Sequence, residues 1–191
     1  MSRELSERLI GQLHSRTLAT LKTLAEQESF TVSPDGSREA YVTKVGKKVC
    51  VVVDGKKEKQ YDAIMGRLRP QITFSSDSKR VAYGAKVEVE RKWLVSVTSK
   101  QFVVVDGEEG KQYDAVIDSA GRTSQRPGYD VVAFSLDSKR MAYGAKVGKK
   151  ACVVVDGEEG KQYDKIEEVT FSPDSKRVAY GVMESLRPGG S

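Results

Sequence analysis

The twelve residues from Val103 to Asp114 read Val-Val-Val-Asp-Gly-Glu-Glu-Gly-Lys-Gln-Tyr-Asp, and Val153 to Asp164 repeat them letter for letter. A looser copy runs from Val51 to Asp62. A second phrase ending in Ala-Tyr precedes each copy: Ser33 to Tyr41, Ser75 to Tyr83 and Ser135 to Tyr143. A fourth, Ser172 to Tyr180, stands with no Val-Val-Val-Asp-Gly copy after it. Self-similarity at this period marks a repeat architecture, in which each unit buries its apolar face against the next.

The third repeat shows the expected unit. Tyr129 to Ser135 reads as a short strand, and Leu136-Asp137-Ser138 as a turn. The related Ser33-Pro34-Asp35 and Ser172-Pro173-Asp174 put proline where a β-turn wants its preset φ. Arg140 to Val147 is a second strand, Gly148-Lys149-Lys150 a tight turn, and Ala151 to Asp156 a third strand rich in β-branched residues. Gly157 to Gly160 is read as the next turn and Lys161 to Glu167 as a shorter, polar fourth strand. Runs such as Val153-Val154-Val155 are continuous instead of alternating, which predicts sheets covered on both faces.

The first 28 residues differ. Leu9, Ile10, Leu13, Thr17, Thr20, Leu21 and Leu24 share one stripe at helical period, so 1–28 is predicted to be an amphipathic helix, packed on the repeats or used for docking. Residues 29–183 form the repeat region and 184–191 a flexible tail.

The phrases Phe-Ser-Pro-Asp-Ser-Lys-Arg-Val-Ala-Tyr at 171–180, Phe-Ser-Leu-Asp-Ser-Lys-Arg-Met-Ala-Tyr at 134–143 and the Val-Val-Val-Asp-Gly runs resemble the WD-repeat-like, TolB-type β-propeller repeats of prokaryotes. The resemblance spans roughly residues 30 to 183. It implies an all-β fold of four-stranded antiparallel blades, three full and one half, and a role in binding proteins. The chain has no Trp-Asp pair. Three and a half blades leave a ring open, since propellers close with about four or more. A second copy completing the ring is the favoured solution; cover by the helix and a longer gene product are the others.

Composition narrows the function. Charged residues are 31% of the chain and the net charge is +5, with Lys-Arg pairs set among acidic pairs such as Glu108-Glu109. That pattern reads as a solvated rim more than as a nucleic-acid surface. No apolar run reaches the ~18 residues of a membrane span. Glu4, Glu7 and Arg8 stand where a secretory signal has its apolar core, so a cytoplasmic location is expected. Cys50 and Cys152 hold matching places in separate repeats and are expected to be two buried free thiols.

Little in the sequence supports catalysis, a cofactor or a metal. The single histidine, His14, lies in the predicted helix, so the repeats cannot assemble a Ser–His–Asp set. The aspartate pairs 54/62, 106/114 and 156/164 recur without EF-hand order, and turn capping is preferred to calcium binding.

Differences between repeats carry the functional reading. Tyr41 to Asp54 and Tyr143 to Asp156 are each 13 residues apart, but Tyr83 to Asp106 is 23. The extra ten residues surround Arg91, Lys92 and Trp93, the only tryptophan. A long connection after the same repeat's fourth strand carries Arg122 and Arg126, with Tyr129 beside it. In an up-and-down blade both insertions fall on one rim, and Trp, Tyr and Arg are the residue types of binding hot spots. These six residues are the candidate partner-binding set; packing of Trp93 over a neighbouring blade is the competing reading. The expected function is a non-enzymatic interaction scaffold. The alternatives are a substrate-binding or gating accessory domain of a hydrolase or peptidase, and a calcium- or carbohydrate-binding propeller.

Overall fold

A computed structural model describes residues 29–66, 70–90, 97–117 and 131–184. The predicted helix over 1–28 and all of the tail after Glu184 lie outside them. The described chain is all-β: antiparallel sheets, one per repeat.

The first sheet has the order β1 (Ser29–Val32), β2 (Glu39–Val45), β3 (Lys48–Val53), β4 (Lys56–Tyr61). In the second, β5 (Ala63–Ile64) and β6 (Ile72–Phe74) share the first position beside β7 (Val81–Glu90), followed by β8 (Val97–Val105) and β9 (Glu108–Glu109). The third repeats this plan with β10 (Ala115–Ile117) and β11 (Ala133–Phe134) beside β12 (Met141–Val147), then β13 (Lys150–Val155) and β14 (Glu158–Tyr163). Among the described residues the fourth has β15 (Lys165–Phe171) and β16 (Val178–Met183) alone.

The strand boundaries correct two expectations. The third-to-fourth turn is Asp-Gly alone, because Val155 already pairs with Glu158. Both residues take positive φ, 52° at Asp156 and 91° at Gly157, and the pairs 54/55 and 106/107 do the same. That is the two-residue hairpin whose twist suits the flanking strands, and Asp-Gly is its preferred sequence. The predicted fourth strand over Lys161 to Glu167 is in fact the end of one sheet and the start of the next. Asp164 is the crossing point between them.

Successive sheets stack face to face. One cluster joins Ala40, Val42 and Val51 of the first sheet to Tyr83, Phe102 and Val104 of the second. A second cluster joins Ala82 and Val103 to Tyr143 and Val154, and a third joins Ala142 and Val153 to Ile166 and Val169. Consecutive valines therefore face opposite neighbours: Val103 and Val104 are both buried, one toward each side. At ~25 cal/mol per Å² of apolar surface, two-sided burial is the main stabilising term of such a stack. Cys50 and Cys152 are buried free thiols whose pKa burial pushes up.

A polar bracket repeats beside the clusters. The Arg80 Nε donates to Asp106 Oδ2 at 3.2 Å within its own sheet, while the guanidinium lies 5.3 Å from the Phe134 ring of the next. Asp77 N donates to Ser138 Oγ across the same interface at 3.0 Å. Arg38 with Phe74 and Ser78, and Arg140 with Phe171 and Ser175, repeat the arrangement. Among the described residues no helix is long and apolar enough to cross a membrane.

Candidate partner-binding face

The insertion in the second repeat lengthens a hairpin. β2–β3 and β12–β13 end their ladders at Val45↔Lys48 and Val147↔Lys150, closed by Gly46-Lys47 and Gly148-Lys149. β7–β8 passes the equivalent pair, Val87↔Lys100, and continues through Glu88↔Ser99, Val89↔Thr98 and Glu90↔Val97. Three further pairs carry the ladder about 10 Å beyond its neighbours at ~3.4 Å per residue. The root is fixed: Glu88 N donates to Asp62 Oδ2 at 2.8 Å, tying the hairpin to the crossing between the first two sheets. Thr98 Oγ1 donates to the Val89 carbonyl at 3.3 Å, and Val89 is 41% exposed. Arg91, Lys92 and Trp93 fall in sequence between Glu90 and Val97, outside the described residues.

The second insertion does not root where the spacing predicted. The crossing from the second sheet to the third is Asp114, whose N–H donates to the Lys146 carbonyl at 3.0 Å. The chain then pairs as β10, with Ile117 opposite Gly144, and resumes pairing at Ala133 opposite Ala142. The insertion therefore interrupts the first strand of the third sheet at mid-height instead of leaving from the rim. Val131 and Val132, expected to be part of a strand, are buried at its return without a ladder partner. Arg122, Arg126 and Tyr129 fall within it, outside the described residues. The second sheet has a shorter version between β5 and β6, where Met65 N donates to the Gly84 carbonyl at 2.8 Å. Turn residues lie in both breaks, Gly66 and Pro70 in one and Gly121 and Pro127-Gly128 in the other, but they do not tell an interrupted strand from a connection between sheets. A glycine follows Ala-Tyr at Gly84 and Gly144, where a Cβ would strike Met65 or Ile117, but Gly181 holds the same place opposite the unsplit β15, so the glycine alone does not mark the break.

The recurring aspartates are engaged by the fold. Asp54, Asp106 and Asp156 each accept from an arginine Nε and from the first N–H of the strand beside them, such as Met141 N at 2.8 Å. They cap the neighbouring strand, not their own turn. Asp62, Asp114 and Asp164 face Lys48, Lys100 and Lys150. Among the described residues no three His, Cys, Asp or Glu side chains stand close enough to hold a metal ion.

A groove of about 900 Å³ opens at the opposite rim, between the Asp-Gly turns of the first two sheets. Five cations, Arg38 and Lys79 among them, line it together with four carboxylates, including Asp54, Glu58 and Asp106. Behind it Tyr83 donates to Glu58 Oε2 at 2.5 Å, and burial, followed by this carboxylate, pushes the Tyr83 hydroxyl pKa far up. Cations and carboxylates alternate along it with an excess of a single positive charge, so it selects weakly by ligand charge.

The chain matches no protein-family profile and no curated protein by sequence. Solved structures similar to it include the hydrazine synthase of Kuenenia stuttgartiensis, with a TM-score of 0.42 and 12% identity over 81% of this chain and 58% of that one. The acylaminoacyl peptidase of Pyrococcus horikoshii gives a TM-score of 0.45 and 15% identity over 84% of this chain and 29% of that one. An acylaminoacyl peptidase in complex with Z-Gly-Gly-Phe-chloromethyl ketone gives 0.47 and 15%, with coverage of 84% and 29%. This chain thus spans less than two thirds of each of these proteins. Likeness at this distance carries no activity across.

Proposed function

We propose that the chain is a non-enzymatic interaction scaffold of the β-propeller type, which grips a protein partner through the tip of the β7–β8 hairpin and the loop rooted at Ile117. The observation that supports it is the hairpin itself. A two-stranded ladder that runs three pairs past its neighbours buries little of its own surface, yet it is anchored at Asp62 and carries Arg91, Lys92 and Trp93 at its end. A rigid base holding an aromatic and basic tip is the arrangement that hot spots need. Arg122, Arg126 and Tyr129 supply the second contact, and no cofactor enters the reading.

The test is recovery of a partner by the full chain from cells that naturally express it. A partner seen with wild type should be lost when Trp93→Ala and Arg122→Ala are combined. It should be kept when Lys47→Ala changes the short hairpin of the first sheet. Equal recovery by the Trp93/Arg122 variant places binding elsewhere.

A further inference from the structure

Among the described residues the fourth sheet has two strands, β15 and β16, and its exposed edge differs from the other outer edges. Those are β4 (Lys-Lys-Glu-Lys-Gln-Tyr), β9 (Glu-Glu) and β14 (Glu-Glu-Gly-Lys-Gln-Tyr). Charge on an edge strand discourages further pairing. β16 reads Val-Ala-Tyr-Gly-Val-Met, with no charge and no proline. Its sibling alanines, Ala40, Ala82 and Ala142, are 0% exposed, whereas Ala179 is exposed, with Val182 at 43% and Met183 at 54%.

The sibling sheets define what that edge fits. There, the residue after the arginine bonds twice to the aspartate closing the third strand: Asp106 N donates to the Val81 carbonyl, and Val81 N donates to the Asp106 side-chain Oδ1. By the two-residue alternation of an antiparallel ladder, the groups facing the open edge in β16 are those of Val178, Tyr180 and Val182. Arg177 occupies the place of Arg38, Arg80 and Arg140. Those three are half-buried on their aspartates, while Arg177 is exposed and no described carboxylate pairs with it. The half-sheet thus keeps both halves of a recognition code, a row of main-chain groups and a cation at one end.

Two nearer occupants fit poorly. Residues 185–191 contain no β-branched or aromatic residue, and Pro188 lacks a donor. The first sheet of a second copy lacks the receiving half of the bracket: Val32 stands where Phe74, Phe134 and Phe171 stack on arginine, and Gly36 where Ser78, Ser138 and Ser175 offer a hydroxyl. Head-to-tail closure by two copies would therefore form without its polar bracket.

We propose that the open edge of β16 takes an extended strand from another polypeptide, made of β-branched residues that end in a carboxylate seated on Arg177. Strand addition to a free edge draws affinity from main-chain bonds and specificity from such side-chain seats.

The probe is a 15-residue peptide with the sequence of residues 150–164 and serine in place of Cys152, added to the full 191-residue protein. Binding should slow hydrogen exchange at the amides of Val178, Tyr180 and Val182. Asn in place of Asp156 in the peptide, or Arg177→Met in the protein, should each weaken binding about tenfold, as for loss of a charge-assisted hydrogen bond. Combining them should weaken it little further. Absence of binding overturns the proposal. So does protection within β12, which would mean that the peptide displaces the chain's own β13, or affinity unchanged from wild type in both single variants.

Discussion

Replacement of Gly144 by alanine tests whether the first strand of the third sheet is split as described. Gly144 pairs with Ile117, and a Cβ added to it would lie 2.9 Å from the Ile117 Cβ and 3.5 Å from its Cγ2. A Cβ is carried by the backbone, so no rotamer change opens that gap; β10 and β12 must move apart. Overpacking of this kind costs about 1–3 kcal/mol. Replacing glycine returns about 0.4–1 kcal/mol by restricting the unfolded chain. The net loss is about 1–2 kcal/mol, and in a chain of this size each kcal/mol moves Tm by about 2–4 °C, so a fall of about 2–8 °C is expected by calorimetry. Gly181→Ala is the control. Its Cβ would meet the Glu167 carbonyl oxygen at 3.2 Å and the Glu167 Cβ at 3.4 Å in the two-stranded fourth sheet, which has room to give. A Gly144→Ala variant as stable as wild type, or a Gly181→Ala variant damaged as much, would refute the close approach of Ile117.

Arg80→Met should lower the denaturation midpoint by about 1 kcal/mol equivalent, since a half-buried ion pair and a ring contact are lost together, while Arg177→Met should change it negligibly. Stability should fall in acid. The Ser75, Ser135 and Ser172 hydroxyls, and then the N–H two residues on, hold Asp77, Asp137 and Asp174 below the usual carboxylate range. A depressed folded pKa stabilises above the unfolded value near 4 and is lost as pH falls through the folded one, so melting should decline below about pH 4, and less steeply in Asp77→Asn. At the alkaline end burial raises the Tyr61 and Tyr83 pKa above the ordinary value near 10. Their contribution is complete below that value and lost as pH rises above it, so the share of tyrosinate absorbance removed by Tyr61→Phe and Tyr83→Phe should appear together with unfolding above about pH 10.

Much of the fold was legible because the repeats say the same thing several times. The continuous Val-Val-Val runs pointed to two-sided burial, and the second and third strands follow their predicted bounds closely. The Asp-Gly hairpin was missed because Glu-Glu-Gly beyond it looks like turn sequence, yet its residues pair with the valines. The split first strands were missed for a different reason. Their halves are two or three residues long and are held by β7 and β12, distant in sequence, so no local period marks them. For the candidate face, the spacing located the lengthened hairpin at Tyr83–Asp106 correctly. It misjudged the root of the Arg122 loop because it took the repeat's end, not Ile117, as the point of departure. The polar bracket was invisible in sequence: Ser78 and Ser138 look like turn residues, and their second role across the sheet interface appears only when the sheets are stacked.

Face-to-face stacking of consecutive repeats is tested most directly by nuclear Overhauser contacts between aromatic rings. The account predicts ring-to-ring contacts for Tyr61 with Phe102, Tyr113 with Tyr143, and Tyr163 with Tyr180, whose centroids lie 5.6, 6.3 and 6.0 Å apart. Each pair links the fourth strand or closing bridge of one repeat to the sheet of the next. Absence of all three, in a protein whose within-sheet strand contacts are present, would contradict it.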